Sequence, residues 1–484
     1  MIVQKSDYKK YFNRNVLKLL NKNEYNIEYK SPLELLSANR IDIVAKYIYL
    51  KYYKQLNLDF AKKLYLEHIK AFNGFVERDE SNKVGGYDFI ESFEKLINSI
   101  RENGIKDTII PILEGNFPID GAHRIACALF FNESLPVMKI NRYPKKIFNY
   151  KFYLERGLDR KYLDFMVLEY AKLKNNCYMI LIWPRAIGKD YEVYETINRY
   201  GDIVYKKEIK LTESGMVQLI RHVYKNESWI GSYNNDFEGA RNKARWCFSK
   251  EGILKVFMIE KKDKADLLDL KQKIRELFNI EKHSVHINDT IEETIELAEI
   301  LFNDNSIFWL NNSIIKENKN FNLLFNQYAN FIKNNKLNKT DFCIVGGILP
   351  VFGVNDAKDL DYINKDNKEY DFKNKQIELE TDKFLYCDKN YLDVIYNPDL
   401  HFYAYSHKFI DINLIYKIKL KRKKGKDLED LKILEDLRAG KLKINYFFKL
   451  KKIFYISFWK RQIKFILLKI RFLFLWLLKK IKGS

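Results

Sequence analysis

The residues best equipped for chemistry lie between 341 and 362. Asp341-Phe-Cys-Ile-Val-Gly-Gly347 is an apolar, strand-like run that ends in two glycines. After eleven intervening residues, Asp359 and Asp361 bracket one apolar residue. Alternate side chains of a strand share a face, so the two carboxylates would project together. Paired carboxylates are hard oxygen ligands suited to Mg²⁺. Gly346-Gly347 would let backbone amides approach a phosphate without a Cβ in the way. A phosphate cradle beside a metal clamp is equipment for phosphoryl or nucleotidyl transfer. An ordinary strand, turn and polar strand end would read the same way from spacing alone.

Two further places carry reactive groups. Phe117-Pro-Ile-Asp-Gly-Ala-His-Arg124 reads as a short strand, a glycine turn and a helix starting near Ala122. Asp120, Gly121, His123 and Arg124 sit where free amides, a helix dipole and a cation converge, which suits a phosphate. His286 lies in a strand-like run before Asp289-Thr290, which would cap a helix bearing Glu292, Glu293 and Glu296. A histidine backed by carboxylates suits a nucleophile or general base. The plain alternatives are a helix-capping pair at 123–124 and a solvated or capping histidine at 286.

The elements that must position these groups fall into three segments and a tail. In residues 1–160, helical patterns at 33–56 and 60–75 precede an amphipathic helix at 89–103, ended by Gly104, then strands at 108–113 and 135–140. In residues 165–310, strands and helices alternate: strand at 177–184, helix at 193–200, strand at 203–211, a helix capped by Thr212, strand at 253–260, helix at 267–277. In residues 311–440, a helix at 320–334 leads into the Gly-Gly strand. Short segments follow at 376–379 and 391–396, then a strand-like run at 407–415 holding Asp411, then a helical stretch at 416–437. The fold class expected is α/β and α+β: three mixed-sheet domains in tandem, followed by a basic amphipathic helical tail.

The net charge of +21 is unevenly placed. Residues 441–484 hold thirteen Lys/Arg and no acid, leaving +8 for the other 440 residues, so the basic signal is a tail and no DNA partner is expected. That tail interleaves Phe, Trp and Leu with Lys and Arg, and its longest uncharged runs, at 453–459 and 472–478, are seven residues each. Seven residues cannot span a bilayer, but the pattern suits a helix lying on an anionic inner-leaflet surface. Five widely spaced cysteines with no Cys-x-x-Cys pair, and an N-terminus without an apolar signal core, point to a cytoplasmic protein with reduced thiols.

Each segment also resembles a known family. Residues 85–142, through the Asp-Gly-x-His-Arg turn at 120–124 between its strands, resemble the ParB/sulfiredoxin-like fold, which implies nucleotide or phosphate binding at Asp120, Gly121, His123 and Arg124. Ala122 stands where a sulfiredoxin has its reactive cysteine, and no helix-turn-helix follows. The middle segment, from Ile180-Leu-Ile-Trp-Pro through Tyr200-Gly-Asp-Ile to His286-Ile-Asn-Asp-Thr, resembles nucleoside diphosphate kinase. The resemblance implies a phosphorylated His286, a phosphate-binding Arg275, and Tyr224 and Trp229 near the base. Trp183 replaces the family's phosphate-contacting lysine. Gly346-Gly347, Asp359/Asp361 and a later Asp411 resemble the minimal nucleotidyltransferases of the DNA polymerase β superfamily. That resemblance implies Mg²⁺ on Asp359 and Asp361, with Asp411 as third ligand or base. The helix with Lys417, Arg422 and Asp427 is similar to the helical end of its antibiotic- and toxin-type members.

Together these features predict a Mg²⁺-dependent phospho- or nucleotidyltransferase using ATP or CTP. Its acceptor would be a sugar or polyol (phosphate) in cell-surface polysaccharide assembly (capsule or lipopolysaccharide). A toxin-type enzyme modifying RNA or protein, and a non-catalytic nucleotide-binding scaffold, are the alternatives.

Overall fold

A computed structural model describes residues 2–77, 82–423, 425 and 427–441. The chain forms two compact units, Met1–Asp411 and Ile412–Ser484. The first is a mixed α/β body with three sheets.

The first sheet contains β1 (Ile2–Gln4), β2 (Glu24–Lys30), β3 (Ile110–Leu113), β4 (Phe117–Pro118) and β5 (Leu135–Lys139), in the order β1-β2-β5-β3-β4. Only β3 and β5 are parallel. Its core gathers Val3, Tyr8, Tyr25, Ile27, Phe117 and Met138. The strands at 110–113 and 135–139 and the helix Ala122–Phe131 form where the apolar runs and Gly121 indicate. The stretch at 33–56 does not form one helix. A capping box between Ser31 and Glu34 starts a helix at Pro32–Leu35, which ends at once. The chain then opens so that Arg40 can be buried against Asp42, through bonds of 2.8 and 3.0 Å. Helix resumes over Asp42–Ile48 and widens to a π-helix at Tyr49–Lys54.

The second sheet is β6 (Cys177–Ile182), β7 (Gly201–Ile209), β8 (Leu254–Lys261) and β9 (Val285–Ile287), in the order β7-β8-β6-β9 with every pair antiparallel. The buried helix Arg160–Leu173 supplies Glu169 to Lys51 and Lys172, a cluster that joins this region to the first. The expected N-cap is present: Thr212 Oγ1 accepts from the Gly215 amide at 3.0 Å and opens the helix Glu213–Val223.

The third sheet is β10 (Phe342–Ile344), β11 (Leu360–Asn364), β12 (Ile377–Leu379), β13 (His401–Ala404) and β14 (His407–Ile410), in the order β12-β11-β10-β14-β13. The helix Lys319–Asn334 covers it with Phe321, Leu324, Tyr328 and Ile332. Residues 391–396 form a helix, capped by Asn390 and Asp393 on each other. The strand expected at 407–415 stops at Ile410; Asp411 follows it, and Ile412–Arg422 is helical.

The second unit contains the helices Ile412–Arg422 and Asp427–Arg438. The single helix expected at 416–437 is therefore two. Their turn is closed by buried Asp427, which accepts from Arg422 at 2.7 and 3.0 Å and from Lys419 at 3.2 Å. The basic aromatic tail falls at 442–484, outside the described residues. Among the described residues no helix is long and apolar enough to cross a membrane.

Candidate functional site

The third sheet gathers the carboxylates by strand direction. β10 and β14 are parallel, so their C-terminal ends lie at one edge. β11 runs antiparallel to β10, so its start lies at that same edge. Gly346-Gly347 after β10, Asp359 and Asp361 at the start of β11, and Asp411 after β14 therefore share it. Gly347 takes a left-handed φ of 68°, which opens the short helix Ile348–Val351.

Gly346 is required by proximity. A Cβ there would stand 2.6 Å from Asp361 Oδ2 and 2.8 Å from both its Cγ and its backbone nitrogen. The Val345 and Gly346 amides donate to the Asp361 carbonyl at 2.8 and 3.1 Å. The Gly346 amide thus fixes Asp361, and is already used within the sheet.

Asp359 is exposed, and its side chain has no hydrogen bond or ion pair among the described residues. Asp361 is ion-paired with Lys383, whose side chain is 8% exposed against 17% for the aspartate. Lys383 stands on the turn Asp382–Tyr386, and its ammonium also lies 3.5 Å from the Val345 carbonyl. Sequence reasoning missed Lys383. It is 22 residues beyond Asp361 in a stretch rich in Glu and Lys, and only the sheet brings it back. Asp411 is 5% exposed, and its amide donates to the Leu400 carbonyl at 2.9 Å.

Among the described residues no three Asp, Glu, His or Cys groups form a metal-holding cluster. Asp361 on β11 and Asp359, which just precedes that strand, supply two hard donors. Mg²⁺ is ordinarily held by one or two carboxylates, with substrate phosphates and water completing its shell. The pair fits an ion delivered with a nucleotide, and Lys383 is the resident cation such an ion would compete with.

His286 lies on β9, an edge strand, opposite Leu181 of β6. Its ring is 5.2 Å from Tyr224, edge to face, and 6.3 Å from Trp183. Tyr224 in turn packs on Trp229 at 5.1 Å. Burial pushes the imidazole pKa down to about 3, and the charges of Lys271, Lys243 and Arg275 act in the same direction. The group is a neutral imidazole in a cationic, aromatic setting. Among the described residues no carboxylate is hydrogen-bonded to or ion-paired with His286. Glu293 accepts from the Asp289 amide at 2.9 Å, and Glu296 pairs with Lys225 and Lys339. Two buried donors here, Trp183 Nε1 and Arg275 Nε, have no partner among the described residues.

At 120–124 the glycine turn forms as expected. Gly121 has φ +84°, and a Cβ there would meet Ile110 Cδ1 at 2.4 Å. Asp120 accepts from Asn13 Nδ2 at 2.9 Å and from the Gly121 amide at 2.6 Å. His123 is held at 3.0 Å by the Tyr65 hydroxyl and packs on Phe93 at 4.6 Å. Burial holds it well below the usual histidine range, so it is a neutral packing group. Arg124 has no hydrogen bond or ion pair among the described residues. The sequence-derived groups are thus spread over three sheets: Asp359, Asp361 and Asp411 on the third, His286 with Arg275 and Tyr224 on the second, the 120–124 turn on the first.

Comparison of the chain with protein-family models, with curated proteins and with solved structures finds no match.

Proposed function

We propose that this protein is a Mg²⁺-dependent nucleotidyltransferase that uses ATP or CTP on a sugar or polyol (phosphate) acceptor. The observation that carries the reading is the common sheet edge of Gly346-Gly347, Asp359, Asp361 and Asp411. Asp359 and Asp361 would hold Mg²⁺, which when bound screens the triphosphate and makes an attacking hydroxyl more acidic. Gly346 keeps Asp361 tight against β10. Lys383 balances the Asp361 charge before nucleotide arrives. Asp411 takes the proton from the acceptor hydroxyl.

His286 extends the reading to phosphotransfer. A neutral imidazole facing Lys243, Lys271 and Arg275 is the form that can accept a phosphoryl group beside charges that stabilise it. The resemblances along the chain and the tail at 441–484 support a place on the cytoplasmic face of a membrane, in surface-polysaccharide assembly. The test is incubation with each NTP, Mg²⁺ and a panel of sugars, polyols and their phosphates, read by mass spectrometry. Nucleotidyl adducts of one acceptor class are expected; NTPs and acceptors all recovered unchanged would end the proposal.

A second reading, a nucleotide-binding scaffold without turnover, draws on Lys383 already seated on Asp361 and on buried Trp183 beside His286. It is distinguished in the same experiment by nucleotide binding without any product.

A further inference from the structure

The first unit contains a cavity of about 660 Å³ that none of these groups explains. Its walls come from the helices Glu213–Val223, Ile291–Leu301, Asp304–Asn312 and Lys319–Asn334 and from the β13–β14 turn. His407, at the start of β14, lines it, whereas Asp411 follows the end of that strand. Four residues of strand separate the two by roughly 13 Å. The cavity is therefore at the opposite end of the sheet from Asp359 and Asp361.

The lining has a charged part and an aromatic part. Arg221, Lys225, Lys333 and Lys339 face a single carboxylate, Glu296, which leaves an excess of three positive charges. Lys225 and Lys339 are both paired with Glu296. Arg221 and Lys333 have no acidic partner among the described residues. Arg221 is nonetheless held rigidly. Its guanidinium lies 3.8 Å from the centre of the Phe237 ring, and it donates to Gln218 Oε1 at 2.6 Å. Gln218 is itself anchored on Ser313 at 2.8 Å. Arg221 Nε is buried with no partner among the described residues. A fixed guanidinium with no acidic partner among the described residues is a group that an anionic ligand would neutralise.

The rest of the wall mixes polar groups, among them Asn330, Ser406 and His407, with an aromatic and aliphatic part. Trp309 is locked by its Nε1 donating to the Val351 carbonyl at 3.0 Å. Tyr405 meets it edge to face at 5.6 Å, and Ile230 and Ile332 continue the surface. The volume lies within the range of pockets that enclose a small organic ligand.

We propose that this cavity binds a nucleotide, its phosphate toward Arg221 and Lys333 and its base against the aromatic wall, as a second nucleotide site apart from Asp359 and Asp361. A sugar phosphate would satisfy the cations but leave the half-buried Tyr405 ring without a planar partner.

The test is calorimetric titration of the full chain, without Mg²⁺, with AMP, GMP, CMP, UMP and, as the baseless control, ribose 5-phosphate. At least one nucleotide is expected to bind, with ribose 5-phosphate weaker by about tenfold or more. Arg221→Gln is expected to weaken the nucleotide by about tenfold or more, the loss of a charge-assisted contact. The exposed Lys333→Gln, which leaves the packing intact, should weaken it by about threefold. The inference is overturned if no nucleotide binds below about 1 mM, if ribose 5-phosphate binds as well as the nucleotides, or if Arg221→Gln and Lys333→Gln both leave the affinity unchanged.

Discussion

Lys383→Met is the perturbation that probes the carboxylate edge most selectively. The methionine keeps most of the buried stem and removes the ammonium that sits on Asp361. Breaking a fully buried ion pair by removing one partner costs about 3–5 kcal/mol, because the other charge is left without compensation. Asp361 retains 17% exposure, so water offsets part of that loss. The expected cost is about 2–3 kcal/mol. Entropy of unfolding grows with chain length, so for a unit of this size each kcal/mol shifts the melting temperature by only about 1 °C. The expected drop is therefore roughly 2–4 °C without divalent ions. Mg²⁺ should then act oppositely to the mutation. In the wild type it must displace the ammonium from Asp361; in Lys383→Met it finds the carboxylate free. The assay is thermal unfolding of both proteins with and without about 10 mM Mg²⁺. The variant is expected to regain most of its loss while the wild type moves little. A variant as stable as the wild type, or one with no greater response to Mg²⁺, refutes the view that Asp361 is a metal ligand held in check by Lys383.

Three other outcomes follow from the structure and the sequence. Gly346→Ala puts a Cβ against both the backbone and the carboxylate of Asp361; a loss of about 1–3 kcal/mol in denaturant unfolding and a loss of turnover are expected. Glu169 is buried, which raises its pKa, but Lys172 and Lys51 outweigh burial and bring it down to about 2. Its folded value lies below the unfolded one, so its contribution, on the order of 3 kcal/mol, is present above about pH 4.5 and lost as pH falls toward 2. Glu169→Gln should flatten the acid limb of the stability curve between those values. A chain ending at Gly440 should sediment with anionic vesicles less than the full chain does; equal sedimentation would remove the membrane role of residues 441–484.

Much of the local structure was legible because it rests on local chemistry. Gly104, Thr212 and Gly121 mark their helix ends by φ or by capping, and neither depends on distant residues. Gly346-Gly347 reads as a phosphate cradle in one dimension; in the sheet Gly346 leaves room for Asp361, and its amide is spent on the Asp361 carbonyl. What the sequence concealed was set by burial and long-range pairing. The helix expected at 33–56 breaks because Arg40 and Asp42 are buried together. The carboxylates expected behind His286 instead serve an amide and two lysines, Lys225 and Lys339. His123 reads as a phosphate ligand in one dimension and is a packing group against Tyr65 and Phe93 in three. Strand β2 alternates buried Tyr25 and Ile27 with exposed polar residues, a pattern present in the sequence but overshadowed by neighbouring helical periodicity. Lys383 and the cavity at Arg221 carry no motif. Each is made by elements far apart in the chain.

The central claim is that Asp359 and Asp361 carry nucleotidyl transfer, and it is tested most directly by Asp359→Asn and Asp361→Asn. Product formation from NTP, Mg²⁺ and the acceptor panel would be measured by mass spectrometry beside circular dichroism of each variant. The expected result is a fall in transfer of more than about a hundredfold with an unchanged spectrum. Full transfer by both correctly folded variants would contradict it.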